Sequence, residues 1–197
     1  MKTDTATYRS FAARFNLIEQ EPMRSYTSFR IGGPADLIAL PKSPDELTEL
    51  LKIAGDLNIP VTLVGGGTNL LVTDKGIRGL VIMTRKMSSQ IRLLDQTAGR
   101  VTVEVDAGET LARVCRFAAS HGFSGLEFAA GIPGTAGGAV VMNAGTQSGA
   151  MSDIVESVTV LNPKSYTVKR LEAREIQFGY RTSHIRGIVI GAALNLT

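Results

Sequence analysis

Tryptophan is absent from the sequence, cysteine occurs once, at Cys115, and histidine twice, at His121 and His184. A single thiol excludes an intramolecular disulfide and any metal site built on several cysteines. Leu111, Val114 and Ala118 lie at helical spacing around it, so Cys115 reads as a buried packing group rather than a nucleophile. No block of lysine and arginine interleaved with aromatics occurs, which argues against a nucleic-acid module. No stretch is long and apolar enough to cross a membrane, and the opening MKTDTATYRSFAARFN lacks the apolar core of a signal peptide. The expected location is the cytoplasm. Internal repeats and low-complexity linkers are also missing. The net charge of +3 is a mild excess over 197 residues, suited to an anionic small molecule without demanding one.

Glycine, by contrast, is plentiful, with 21 residues, and it clusters. From Gly125 to Gly145 the chain reads GLEFAAGIPGTAGGAVVMNAG, with glycines at 125, 131, 134, 137, 138 and 145 and Gly149 close behind. Glycine loses more backbone entropy on folding than any other residue, so something must offset the run. Either the glycines permit tight turns while the alanines and valines pack as core, or they let backbone N–H groups approach a ligand. Long irregular loops in compact domains are usually functional, which favours the ligand.

Taken in order, residues 8–16 form a helix with Phe11 and Phe15 one turn apart. Gly32, Gly33 and Pro34 break the chain before an apolar strand at 36–40. Ser43, Pro44 and Glu46 spell a helix start with a capping box, and Leu47, Leu50, Leu51, Ala54 and Leu57 make its apolar face. Asn58 and Pro60 end it, and strand 61–64 completes a βαβ unit with parallel strands. The glycines 65–67 then fall just past a strand's carboxyl end, where open α/β sheets place ligands. This GGGTNLL is neither G-x-G-x-x-G nor a P-loop. Thr68 and Asn69 add side chains able to bond a phosphate or ribose.

A strand at 80–84, a polar connection and an alternating strand at 101–108 follow. A second helix spans 109–121, with Leu111, Val114, Cys115 and Ala118 inward, Arg113 and Arg116 outward, and Gly122 as its stop. A hairpin turns at 162–165, a helical turn covers 171–176, and GIVIGAALNL ends the chain as a closing strand. The expected class is α+β. An N-terminal helical segment (1–25) precedes a small βαβ lobe (26–84) and a larger mixed-sheet lobe with flanking helices (85–197), a ligand lying in the cleft between the lobes.

SYTSFRIGGPADL, VGGGTNLLV, the glycine-rich run and FGYRTSHI, in this order and spacing, make the chain resemble the UDP-N-acetylenolpyruvoylglucosamine reductases, flavoenzymes of peptidoglycan precursor synthesis. More distantly it is similar to FAD-binding folds of the vanillyl-alcohol-oxidase type. The resemblance covers nearly the whole chain from Tyr26. It implies a two-lobed FAD-binding fold holding FAD non-covalently. Gly65, Gly66, Gly67, Thr68, Asn69, Leu70 and Leu71 would serve the pyrophosphate and ribityl side. Gly131, Ile132, Pro133, Gly134, Thr135, Gly137 and Gly138 would wrap the cofactor from the other lobe, and Asn143, Ala144 and Gly145 would lie near the flavin. No histidine or cysteine matches a flavin-linking position.

The resemblance further implies NADPH as reductant and a UDP-sugar enolpyruvyl substrate. Arg181 matches the arginine that polarises the substrate carboxylate, a role suited to an always-charged, two-pronged guanidinium, and Tyr180 would help place the substrate. Family members carry a further C-terminal substrate domain that supplies a serine proton donor and a glutamate. This chain ends before it, and neither Ser148 nor Ser183 matches that serine. Three readings follow: the FAD-binding part of such a reductase, impaired alone; a non-catalytic flavin-binding or regulatory relative; or one chain of a split enzyme whose second chain supplies the missing domain.

Overall fold

The computed structural model describes residues 5–97 and 99–197, and the chain divides into two compact units, Met1–Lys86 and Met87–Thr197. The first unit opens with α1 (Thr5–Arg14) and β1 (Ile18–Pro22). Phe11 is buried and meets Phe15 edge-to-face, ring centroids 5.5 Å apart, as the one-turn spacing predicts. The expected helical segment 1–25 thus also contains a strand. IEQEP alternates too weakly to announce itself, yet it pairs antiparallel with β2 (Pro34–Ala39) at the sheet's edge.

Helix α2 (Pro44–Asp56) starts where the sequence places it. Ser43 Oγ accepts from the Glu46 amide at 3.2 Å, but the Glu46 carboxylate takes the Lys42 amide at 2.8 Å rather than that of Ser43, so the reciprocal half of the capping box is shifted by one residue. Leu47, Leu50, Leu51 and Ala54 are buried, and each fully buried leucine contributes about 1.5–3 kcal/mol. Asn58 then turns the chain with φ +53. Strands β3 (Val61–Val64) and β4 (Ile77–Met83) complete a sheet of order β1-β2-β4-β3. β2 and β3 both run parallel to β4, which lies between them, so the expected βαβ pair is not adjacent.

The second unit holds a five-stranded antiparallel sheet of order β10-β9-β11-β6-β5. Its strands are β5 (Ile91–Thr97), β6 (Arg100–Asp106), β9 (Val155–Leu161), β10 (Val168–Glu172) and β11 (Ile188–Leu196). The polar connection expected after residue 84 is largely strand β5, an exposed edge whose polar residues sit in solvent and so carry no core signal. The last strand does not close the sheet. β11 inserts at its centre, bonded to β6 and β9, which explains why it is the most continuously apolar strand. The hairpin turn falls at Asn162, whose Oδ1 accepts from the amides of Lys164 and Ser165 at 2.8 and 3.1 Å. The expected helical turn at 171–176 narrows to a 3₁₀ turn at Ala173–Glu175, because Val168–Glu172 is strand.

Helix α3 (Leu111–His121) ends at Gly122 in the left-handed region, φ +72. Leu111, Val114 and Ala118 are buried, whereas Cys115 is only partly so, its Sγ 3.9 Å from the Leu126 carbonyl. Burial still pushes the Cys115 thiol up, keeping it protonated and inert. Short helix α4 (Ala136–Val141), the ribbon β7 (Gly145–Thr146) with β8 (Gly149–Ala150), and α5 (Met151–Ile154) carry the chain from the glycine-rich run into β9. Among the described residues no helix is long and apolar enough to cross a membrane.

Candidate functional site

In the first unit the turn Gly65–Gly67 leaves the carboxyl end of β3 directly. Gly67 sits at φ +69, and a Cβ there would overlap the Tyr26 carbonyl, while its own carbonyl accepts from the Ser28 amide at 3.0 Å. Gly33 repeats the arrangement, donating to the Thr73 carbonyl at 2.9 Å with no room for a Cβ against Asp74. The segments 26–33 and 67–76 are therefore laid backbone on backbone, and Gly67 is explained by that approach. Gly65, Gly66 and Thr68 are half-buried and Asn69 exposed. Leu70, partly buried, packs against the core cluster around Met23, Ile38 and Val64. Leu71 is 66% exposed, as are Phe29 at 59% and Ile31 at 51%, leaving an apolar rim on these two segments.

Sequence reasoning passed over Arg85. It stands on the 3₁₀ turn Thr84–Lys86 at the carboxyl end of β4, its guanidinium over the Tyr26 ring at 5.2 Å from the centroid. Its Nε is buried with no hydrogen-bond partner. Burial first, then Glu21, raises the Tyr26 phenol above its ordinary value, with Arg85 pulling the other way. Only the strand topology, which sets 84–86 beside 65–67, gives this arginine meaning.

In the second unit the glycine-rich run is not one irregular loop. Thr135 caps α4 by accepting from the Gly138 amide at 3.3 Å. The Ala136 amide donates to Glu109 O at 2.7 Å and the Gly137 amide to Ala107 O at 3.0 Å. A Cβ on Gly137 would lie 2.7 Å from the Ala107 Cβ, so this glycine serves close packing of α4. With those amides engaged inside the protein, the ligand reading of the run rests on the loop ahead of the helix, residues 131–134. There Gly131 is exposed at φ +86, and a Cβ would meet open space; Ile132 is half-buried, Pro133 exposed and Gly134 half-buried.

Glu109, expected only as the start of a helix, is 2% exposed. Its Oε1 accepts from the Thr110 amide at 2.7 Å, and its Oε2 faces Arg113 Nη1 at 2.8 Å, off the N–H axis, as an ion pair. With its carbonyl holding the Ala136 amide, Glu109 ties the starts of α3 and α4 together.

Asn143, at φ +42, donates from Nδ2 to the Gly179 carbonyl at 3.0 Å and accepts at Oδ1 from the Ser152 amide at 2.9 Å. Ala144 is buried and Gly145 half-buried at the start of β7. Arg181, at φ +57, donates from Nη1 to the Gly145 carbonyl at 2.9 Å, and its guanidinium lies 5.7 Å from the Tyr180 ring centre. Tyr180 is 92% exposed. Beneath them, buried Ser183 donates to the Val141 carbonyl at 2.9 Å. The structure thus gathers Asn143, Gly145, Tyr180 and Arg181 at one place.

The chain belongs to the FAD binding domain family, whose model matches residues 35–171. It is 43% identical over 179 residues to a UDP-N-acetylenolpyruvoylglucosamine reductase of Streptococcus agalactiae serotype III, covering 89% of this chain and 57% of that protein. Its identity to the same-named protein of Levilactobacillus brevis is 42% over 200 residues, covering all of this chain and 62% of that one. The chain therefore spans about three-fifths of these relatives' length. The crystal structure of UDP-N-acetylenolpyruvylglucosamine reductase from Thermus caldophilus superposes with a TM-score of 0.73 at 33% identity, over 92% of this chain and 63% of that one. A solvent-stable cholesterol oxidase superposes at 0.70 with 17% identity, a likeness of fold alone. The residues of the first unit fit the phosphates of a dinucleotide: a buried guanidinium nitrogen without a partner stands beside a glycine turn.

Proposed function

We propose that this chain is the FAD-binding portion of a UDP-N-acetylenolpyruvoylglucosamine reductase, an NADPH-dependent cytoplasmic enzyme of peptidoglycan precursor synthesis that reduces the enolpyruvyl group of a UDP-sugar. The observation that carries this reading is the fixing of Arg181, an exposed guanidinium in the FGYR motif, to the Gly145 carbonyl beside Asn143. The relatives' shared name and the FAD binding domain match support it.

Gly65–Leu71 in the first unit and Gly131–Gly134 in the second would hold the cofactor non-covalently. FAD, when bound, supplies two-electron hydride chemistry. Arg181 would bind and orient the substrate carboxylate, since its fork leaves donors beyond the one given to Gly145. Tyr180, held against it, would position the sugar-linked enolpyruvyl group. Ser183, buried and donating to a carbonyl, is not placed to offer a proton. General-acid assistance to the step is worth ~10² to 10⁴ in rate.

The test is oxidation of NADPH by the FAD-loaded protein in the presence and absence of UDP-N-acetylglucosamine enolpyruvate, with the product identified by mass. Substrate-dependent oxidation yielding a product two hydrogens heavier supports the reading. Oxidation indifferent to the substrate, with the enolpyruvyl group intact, contradicts it.

A further inference from the structure

Strands β3 and β4 run parallel with Val64 opposite Met83, so the segments that leave them, Gly65–Gly67 and Thr84–Lys86, emerge side by side at the same end of the sheet. Thr84 ties the two by donating to the Val64 carbonyl at 3.4 Å. Tyr26 joins them from the other direction, its backbone against Gly67 and its ring beneath the Arg85 guanidinium. In this nest Arg85 Nε is buried and has no acceptor. Leaving a buried donor unpaired is costly, and an anion bound against it relieves that cost with a charge-assisted bond. The glycine turn itself offers only neutral backbone donors.

We propose that Arg85 is an anion contact, supplying the charged donor for the phosphoanhydride of the dinucleotide at the Gly65–Gly67 turn. Arginine suits the place twice over, because one face stacks on Tyr26 while the edge keeps its N–H groups for phosphate oxygens. The inference rests on the FAD reading above and adds to it a specific side chain. It also assigns a use to the stacked Tyr26, which holds the guanidinium in place.

The test is FAD affinity, read by quenching of flavin fluorescence across a salt series, for the wild-type protein, R85Q and R85K, with thermal melts of each. The proposal expects R85Q to weaken FAD binding ~10- to 100-fold and to flatten the salt dependence, while R85K restores most of both and all three proteins melt cooperatively. Inorganic pyrophosphate should displace FAD from wild type at lower concentration than from R85Q once each is scaled to its own FAD affinity. R85Q within about twofold of wild type, or a loss with unchanged salt slope that lysine does not rescue, overturns the proposal and leaves the FAD reading standing. A wild-type protein that takes up no FAD overturns both.

Discussion

Arg181 donates to the carbonyl oxygen of Gly145 at 2.9 Å, and Asn143, two residues before that glycine, donates to the carbonyl of Gly179, two before the arginine. The two bonds run in opposite directions across one gap. They make the FGYR turn and the MNAG segment a single rigid piece, so that a guanidinium on an exposed loop is held to a fixed direction. Each partner adopts a left-handed backbone, φ +42 at Asn143 and +57 at Arg181, a cost that these bonds help to offset.

Replacing Asn143 with alanine removes both side-chain bonds and leaves alanine in the left-handed region. We expect a loss of about 2–4 kcal/mol in chemical denaturation and faster amide exchange at Gly179 and Thr182. Asn143→Gly, which suits the backbone but lacks the amide, should lose less stability and show the same exchange.

Arg181→Ala should leave FAD affinity unchanged and abolish substrate-dependent turnover, and Arg181→Lys should recover little, because an ammonium lacks the planar fork that grips a carboxylate with two parallel bonds while another N–H stays on the Gly145 carbonyl. Turnover in Arg181→Ala equal to wild type would remove this residue from the chemistry.

Gly137 sits where a Cβ would come within 2.7 Å of Ala107. Gly137→Ala is expected to cost about 1–3 kcal/mol by overpacking, and adding Ala107→Gly should return most of it. A melt showing no recovery in the double variant would mean that α4 responds to the substitution in some other way.

Because burial raises the Cys115 thiol, it should react with a disulfide reagent near neutral pH far more slowly than the same thiol in the unfolded chain. The folded value lies above the unfolded one, so this group's contribution to stability is full at low pH. It is lost as pH rises through the interval between the two. Alkaline denaturation of Cys115→Ser should therefore begin at higher pH than in wild type.

The helix starting at Ser43 was readable because cap, proline and leucine spacing all point the same way, and the strand after it because Pro60 ends the helix and Val61, Thr62 and Val64 are residues that favour a strand. β5 was not, since an edge strand with polar residues in solvent has no periodicity that a core would impose. The central place of β11 is a matter of pairing, which a strand's own residues do not encode. At the site, the four motifs and Arg181 were visible through resemblance. The division of labour among the glycines was not. Gly67 and Gly137 are glycine because another stretch of protein lies against them, Tyr26 and Ala107, and no local pattern carries that information. Arg85 stayed hidden for the same reason, its neighbours in space being distant in sequence.

The most direct test of the account is the visible absorption spectrum of the purified protein after incubation with FAD and desalting. Retained flavin bands at about one flavin per chain are expected, removed by denaturant and therefore not covalent. A protein that emerges colourless after exposure to saturating FAD would contradict the claim that these glycine loops form a cofactor site.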